Sequence, residues 1–158
     1  MAQGAAADPI DALDLAPVAR AAAQALKQQF PQVVFTSGRR DRVAQTHAMA
    51  TNVVQNRNWI QQTYRDTPVR HALQGWVDAH PQATTVPVIA QGLLDTLNAL
   101  PDDQVAQLSK HLTGQAFDVQ PLTDGSDATA IKTAIRNLAG LTLFLEKEGG
   151  LVRWHAEF

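Results

Sequence analysis

Residues 109–118 read Ser-Lys-His-Leu-Thr-Gly-Gln-Ala-Phe-Asp, and this stretch decides the prediction of the fold. The run AFDVQ, which begins at Ala116, is typical of a strand, so His111 falls in the loop before it. Gly114 has no side chain, which allows the backbone to turn tightly and another element to approach closely. We therefore expect the imidazole of His111 and the carboxylate of Asp118 to return toward one point.

The sequence LVRWHAEF at 151–158 predicts a terminal strand that carries His155. A ligand from this neighbouring strand would complete a metal site with two imidazoles, one carboxylate and one open position, as in catalytic zinc sites. The chain has no cysteine, so histidine and carboxylate ligands remain. The alternative is that these histidines are hydrogen-bonded core residues. The other histidines lack this spacing and are interpreted as surface or helix-end residues: His47, His71 and His80.

Elsewhere the hydrophobic pattern predicts mainly helices. Helices are predicted at 10–29, 41–64, 68–79, 87–99 and 127–147, and strands at 32–35, 116–120 and 151–158. Pro17 is expected near the first turn of the first helix or at a break within it, and Gly149-Gly150 is expected to stop the last helix. This order predicts an α+β fold in which helices pack on a small, mostly antiparallel sheet.

The composition is that of an ordinary globular protein, with 158 residues, 45% hydrophobic and 18% charged. This length suits one compact domain. A net charge of −2 gives no basic face for nucleic acid and no attraction to an anionic membrane. A third hypothesis, a regulatory or DNA-contacting helical domain, rests only on the helix content, and the balanced charge argues against it.

Three patches resemble one family. Ser109–Asp118 is similar to S-x-H-x-x-G-x-A-x-D, the first zinc motif of the D-Ala-D-Ala carboxypeptidase and dipeptidase family. That family belongs to a wider group with peptidoglycan-cleaving phage endolysins and the hedgehog signalling domain. Thr36–Arg40 resembles its S-G-x-R element, and Trp154–Phe158 resembles the segment W-H-x-E-[YF] that carries its last ligand. The resemblance implies a single hedgehog-like, zinc-peptidase-like domain over 1–158, in which 41–107 is a longer helical insertion of unclear role.

The resemblance also implies roles for individual residues. His111, Asp118 and His155 would bind Zn²⁺. Arg40 would bind the substrate carbonyl or carboxylate and stabilise negative charge in the transition state, and Ser109 would support the substrate or the zinc ligands. The implied activity is zinc-dependent hydrolysis of the stem peptide or cross-bridge of bacterial peptidoglycan, including bonds to D-alanine, by a carboxypeptidase or endopeptidase.

The usual general base of the family is missing. One branch has a glutamate three residues before the last ligand, where this chain has Val152, and another has a histidine where this chain has Arg153. Two carboxylates can replace it: Glu157, on the same strand face as His155, and Glu148, on the predicted turn before it. The alternative function is a zinc-containing binding module that has lost hydrolysis.

The N-terminal sequence lacks the basic segment and continuous apolar run of a signal peptide. We therefore expect synthesis in the cytoplasm as a soluble chain. Action at the cell wall or periplasm would follow phage lysis or export by a specialised secretion system. Nucleic acid and membranes are not expected partners, and the sequence does not determine the oligomeric state.

Overall fold

The computed structural model describes residues 9–123, 125–148 and 151–158. Within them lie seven α-helices and one four-stranded antiparallel sheet, so the predicted α+β class is confirmed. The helices are α1 Pro17–Gln29, α2 Arg42–Gln55, α3 Trp59–Thr63, α4 Pro68–Ala79, α5 Val86–Asn98, α6 Asp102–Val105 and α7 Ser126–Arg136, and the strands are β1 Phe35–Ser37, β2 Ala116–Val119, β3 Leu143–Glu148 and β4 Leu151–Glu157. Two short 3-10 helices, Asp11–Leu13 and Lys110–Thr113, complete the elements.

The chain divides into two compact units, one formed by Met1–Arg39 with Thr113–Phe158 and the other by Arg40–Leu112. The second unit includes the predicted helical insertion at 41–107. The single-domain organisation and the hedgehog-like fold remain predictions. None of the described helices is long and apolar enough to cross a membrane.

The first unit contains the sheet, whose antiparallel strands lie in the order β1, β2, β4, β3. Successive side chains of a strand point to opposite faces. Phe117 and Trp154 belong to an apolar core with residues of α1 and α7, so Asp118 and His155 lie on the other face of the sheet. The fold thereby separates the apolar core from the polar residues of the predicted site.

The second unit consists of helices α2 to α6 around its own apolar core, which includes Met49, Ile60 and Leu93. A Cβ atom at Gly92 would lie 1.9 Å from Cζ2 of Trp76, so α4 and α5 can pack this closely only because position 92 has no side chain. Arg57 donates hydrogen bonds to three backbone carbonyls, those of Val77, His80 and Ala83, and so links the last turn of α4 to the turn that follows it.

The prediction of one helix over 127–147 is wrong in its second half. Helix α7 ends at Arg136, and residues Leu143–Glu148 form β3. Gly140 between them has a φ of +83°, a left-handed conformation that a continuous helix excludes. The predicted stop at Gly149-Gly150 lies outside the described residues.

Smaller differences concern the boundaries of other elements. The predicted strand at 32–35 is displaced, because the Val33 N–H donates to the Phe30 carbonyl in a turn and pairing with β2 starts only at Phe35. Pro17 separates a short 3-10 helix from α1, one of the two expected arrangements. The helical pattern at 41–64 forms two helices, α2 and α3. The helix predicted at 68–79 is confirmed with the same bounds, Pro68–Ala79.

Candidate metal centre

Asp118 and His155 are direct cross-strand partners on β2 and β4. Neighbours in such a pair have side chains on the same face, and the His155 Nδ1 atom lies 2.8 Å from the Asp118 Oδ1 atom. Both side chains are nearly inaccessible to solvent, with exposures of 5% and 10%. The antiparallel register therefore brings together two of the three predicted metal ligands, which are 37 positions apart in the chain.

Two further carboxylates reach the His155 ring. The Glu148 Oε1 atom lies 3.2 Å from Nδ1, and the Glu157 Oε1 atom lies 3.1 Å from Nε2. Glu148 is the last residue of β3 rather than part of a turn, which corrects the predicted location. Both residues named as substitutes for the missing base are thus next to a predicted ligand.

The pairing of β3 with β4 is irregular close to Glu148. The register of β3 on β4 shifts between Leu145, which pairs with His155, and Lys147, which pairs with Val152. This interval covers two steps along β3 and three along β4, so the extra residue lies in β4, and Glu148 then pairs with Leu151. From this irregular end of β3 the Glu148 carboxylate reaches the His155 ring.

The carboxylates around His155 favour a positive charge on its ring. Burial alone would lower the pKa of the His155 imidazole, but the hydrogen bonds to Asp118 and Glu157 and the negative charge of Glu148 outweigh burial and raise the pKa to about 10. At neutral pH the ring therefore holds a proton in the metal-free protein. A metal cation that replaced this proton would satisfy the same carboxylates.

His111 is held by its backbone on the 3-10 helix Lys110–Thr113 and is buried. Its N–H donates to the Ser109 hydroxyl at 3.2 Å, and its carbonyl accepts from the Arg40 N–H at 2.9 Å. Gly114 follows with a φ of +75°, and a Cβ there would lie 2.7 Å from a guanidinium nitrogen of Arg39. The predicted need for a small residue at this turn therefore has a steric and a conformational basis.

His111, Asp118 and His155 converge. Each is buried, and one ligand atom from each residue lies within 4.8 Å of the others. Zinc bonds of about 2.0–2.1 Å in a tetrahedral site place ligand atoms about 3.4 Å apart, so movements of about 1 Å would close the group around an ion. Two imidazoles and one carboxylate suit a divalent transition metal. These residues can therefore hold a metal ion.

Arg40 and Ser109, the predicted substrate-binding residues, lie next to the backbone of His111. The partly buried Arg40 guanidinium donates from Nη1 to the Gln45 Oε1 atom at 3.4 Å. Gln45 is fully buried on α2 and was not predicted as a site residue. Its sequence signal was weak, because a glutamine near a helix start is usually exposed. Val152, at the position of the usual base, is 59% exposed.

No protein-family model, curated protein or solved structure matches this chain. The resemblance to the D-Ala-D-Ala peptidase family therefore rests on the three short motifs, and the activity and residue roles that it implies remain predictions.

Proposed function

We propose that this protein is a zinc-dependent peptidase that hydrolyses peptide bonds of bacterial peptidoglycan. The proposed substrate is the stem peptide or cross-bridge, including bonds to D-alanine, and the enzyme would act as a carboxypeptidase or endopeptidase. One observation carries the proposal: the three buried ligands converge within 4.8 Å, and two additional carboxylates contact one of them. A structural zinc site has four protein ligands and no open position, whereas a catalytic site has three ligands and a nearby group that can accept a proton.

Zinc is the proposed ion because His111, Asp118 and His155 form a three-ligand set typical of catalytic zinc, and the chain has no thiolates. When bound, zinc would polarise the scissile carbonyl and lower the pKa of water to about 7. We assign Nδ1 as the ligand atom of His155, because the Asp118 carboxylate lies 2.8 Å from this nitrogen.

The two glutamates then receive different roles. Glu157 lies at Nε2, where a carboxylate can accept the second N–H of a ligand histidine and fix the ring. Glu148 lies at Nδ1, on the same side of the ring as Asp118. We therefore propose Glu148 as the base that accepts a proton from the attacking water and passes it to the leaving amine.

Arg40 is proposed to bind the substrate carboxylate or the oxygen that becomes negative during attack, since a guanidinium donates several hydrogen bonds in a fixed plane. Its backbone bond to the His111 carbonyl supports this role. Ser109 supports the position of His111 through the hydroxyl that accepts the His111 N–H. Cleavage of peptidoglycan would take place at the cell wall, after phage lysis or export by a specialised system.

A binding module without hydrolysis is the second candidate, and one observation favours it: the position of the usual base is occupied by the exposed Val152. Under this alternative zinc would bind in equal molar amount, and the protein would sediment with peptidoglycan without releasing peptides. The contacts of Glu148 and Glu157 with His155 favour hydrolysis, because they supply a carboxylate by another route.

The test combines metal content with product analysis. Purified protein loaded with zinc is incubated with peptidoglycan sacculi and with a stem pentapeptide, and released peptides are identified by mass spectrometry. We expect cleavage that a chelator stops and zinc restores, and His111→Ala should lose both zinc and activity. His71→Ala is the matched control, because His71 is 66% exposed and is outside the ligand cluster. Full activity after complete metal removal would refute the proposed mechanism.

A further inference from the structure

The start of α2 has an unusual pair of side chains. Asp41 caps the helix by accepting the Ala44 N–H at 2.7 Å, which places Arg40 just before the cap and Gln45 at the fourth helical position. These two positions face each other at a helix start and usually carry two apolar residues that pack together. Here Arg40 and Gln45 make a hydrogen bond of 3.4 Å instead.

The orientation of the Gln45 amide follows from its partners. Its Nε2 atom donates to the Tyr64 hydroxyl at 2.9 Å, and its oxygen accepts from Arg40. A guanidinium has only donors, so the reversed amide would place a donor against a donor. The chain Tyr64–Gln45–Arg40 therefore has one satisfactory arrangement.

Tyr64 is itself held firmly. Its ring packs edge to face on Trp59, with centroids 5.5 Å apart and an interplanar angle of 84°. Its N–H donates to the Ile60 carbonyl at 3.1 Å, and its carbonyl accepts from Arg70 at 3.2 Å. The orientation of the Gln45 amide is thus fixed by a tyrosine whose ring and backbone are both held in place.

Stability alone does not explain a glutamine at this position. Gln45 has no exposed surface, and burying an amide costs free energy that its hydrogen bonds only offset. An apolar residue would pack there without that cost. A glutamate would be drawn to the guanidinium more strongly but would neutralise its charge. Glutamine is the residue type that directs the guanidinium through a neutral acceptor.

We infer that Gln45, oriented by Tyr64, is a positioning residue that sets the guanidinium of Arg40 for substrate, so that the helical segment 41–107 takes part in substrate binding. The substrate role of Arg40 rests on the proposed function, whereas the positioning of its guanidinium does not. The Arg40 N–H to His111 carbonyl bond fixes the backbone at one end, and Gln45 fixes the side chain at the other.

The kinetic test uses Gln45→Leu and Tyr64→Phe in the zinc-loaded protein. We expect kcat/KM for the stem peptide to fall about tenfold in Gln45→Leu and less in Tyr64→Phe, with unchanged zinc content. Arg40→Ala should fall about a hundredfold or more, and Gln45→Leu should add nothing further in that background. Gln45→Glu should keep the fold and lose activity. Gln74→Leu is the matched control, because Gln74 is also buried but bonds to Gln61, Arg57 and Asp78 instead.

A second measurement does not depend on activity. In protein labelled with ¹⁵N-arginine, an oriented guanidinium shows slow rotation about its Nε–Cζ bond and separate Nη resonances. We expect this signature for Arg40 in the wild type, its loss in Gln45→Leu, and its retention in Gln74→Leu.

The two measurements separate the two proposals. If Gln45→Leu changes the Arg40 resonances but the wild type cleaves no peptide, the proposed function fails and the positioning inference stands. If Arg40 keeps its resonances and kcat/KM in Gln45→Leu, or if Gln45→Leu and Arg40→Ala act additively, the inference is overturned. Equal effects of Gln45→Leu and Gln74→Leu would also overturn it, because they would show loss of stability only.

Discussion

The sheet of the first unit and helices α2 to α6 of the second unit bury different kinds of polar side chain. The first unit buries Asp118 and His155, whose charges face each other at 2.8 Å. The helices of the second unit bury neutral amides, Gln45, Asn52 and Gln74, each with hydrogen-bond partners inside the unit. A neutral amide is satisfied by local hydrogen bonds, whereas a cluster of carboxylates around an imidazole also needs positive charge.

This difference predicts which buried side chains respond to a bound metal ion. Removing a metal should disturb the charge balance of Asp118 and His155 and leave the amide network of the second unit intact. Substitutions of Asp118, His155 and the two glutamates beside them should therefore change catalysis and metal affinity, and substitutions in the apolar core of the second unit should change stability. The predictions below test this separation.

The largest effect is expected for Glu148→Gln. If Glu148 is the base, this change lowers kcat by about 10²–10⁴-fold and leaves zinc in place, because the amide keeps the size of the side chain but accepts no proton. Rates under substrate saturation and zinc content by mass spectrometry check both parts.

Glu157→Gln is the matched control, because Glu157 contacts the other nitrogen of the same His155 ring. It should weaken zinc binding by about 10–100-fold and leave kcat near the wild-type value once zinc is saturating. The opposite result, with Glu157→Gln inactive in the presence of bound zinc and Glu148→Gln active, would exchange the two roles. Full activity in both variants would remove both glutamates from the mechanism.

The metal ligands could be predicted from the sequence, whereas the buried amide network could not. The motif around His111 and Asp118 and the strand with His155 were predicted, because metal ligands need particular residue types and a strand places alternate residues on one face. The role of Gln45 was not, because its partner Tyr64 is 19 positions away and is brought back only by the break between α2 and α3.

The missed strand β3 has a similar cause. Leu138, Leu141 and Leu145 fit helical spacing, but Leu141, Leu143 and Leu145 fit the two-residue period of a strand equally well. Pairing with β4 decides between the helix and the strand. The local sequence of one segment does not reveal this pairing. The contact of Glu148 with His155 also depends on this pairing.

In the second unit, Gly92→Ala should lower the free energy of unfolding by about 1–3 kcal/mol, because its Cβ would lie 1.9 Å from the Trp76 ring and force repacking of α4 against α5. Gly75→Ala on α4 is the control. No atom outside its own stretch of helix lies within 4 Å of an added Cβ, so we expect a gain of about 0.5–1 kcal/mol from helix propensity. Urea unfolding measures both changes, and neither variant should alter zinc affinity. Weaker zinc binding in Gly92→Ala would break the separation between the units.

The smallest effect is expected for Glu146→Gln, two residues from the proposed base. Glu146 accepts from Lys132 at 2.8 Å and from Arg136 at 2.6 Å, and its side chain is 43% exposed. The hydrogen bond from Lys132 and the nearby positive charges lower the Glu146 pKa, so the carboxylate stabilises the fold above its unfolded pKa and this contribution is lost as the pH falls through the folded value.

At neutral pH the substitution should lower Tm by at most about 2 °C, and the difference from wild type should vanish in acid and shrink in high salt. Because exposed ion pairs are weak, we also expect kcat to stay within about twofold of wild type. A large loss of kcat in Glu146→Gln would instead mean that this surface pairing holds β3, and with it Glu148, in place.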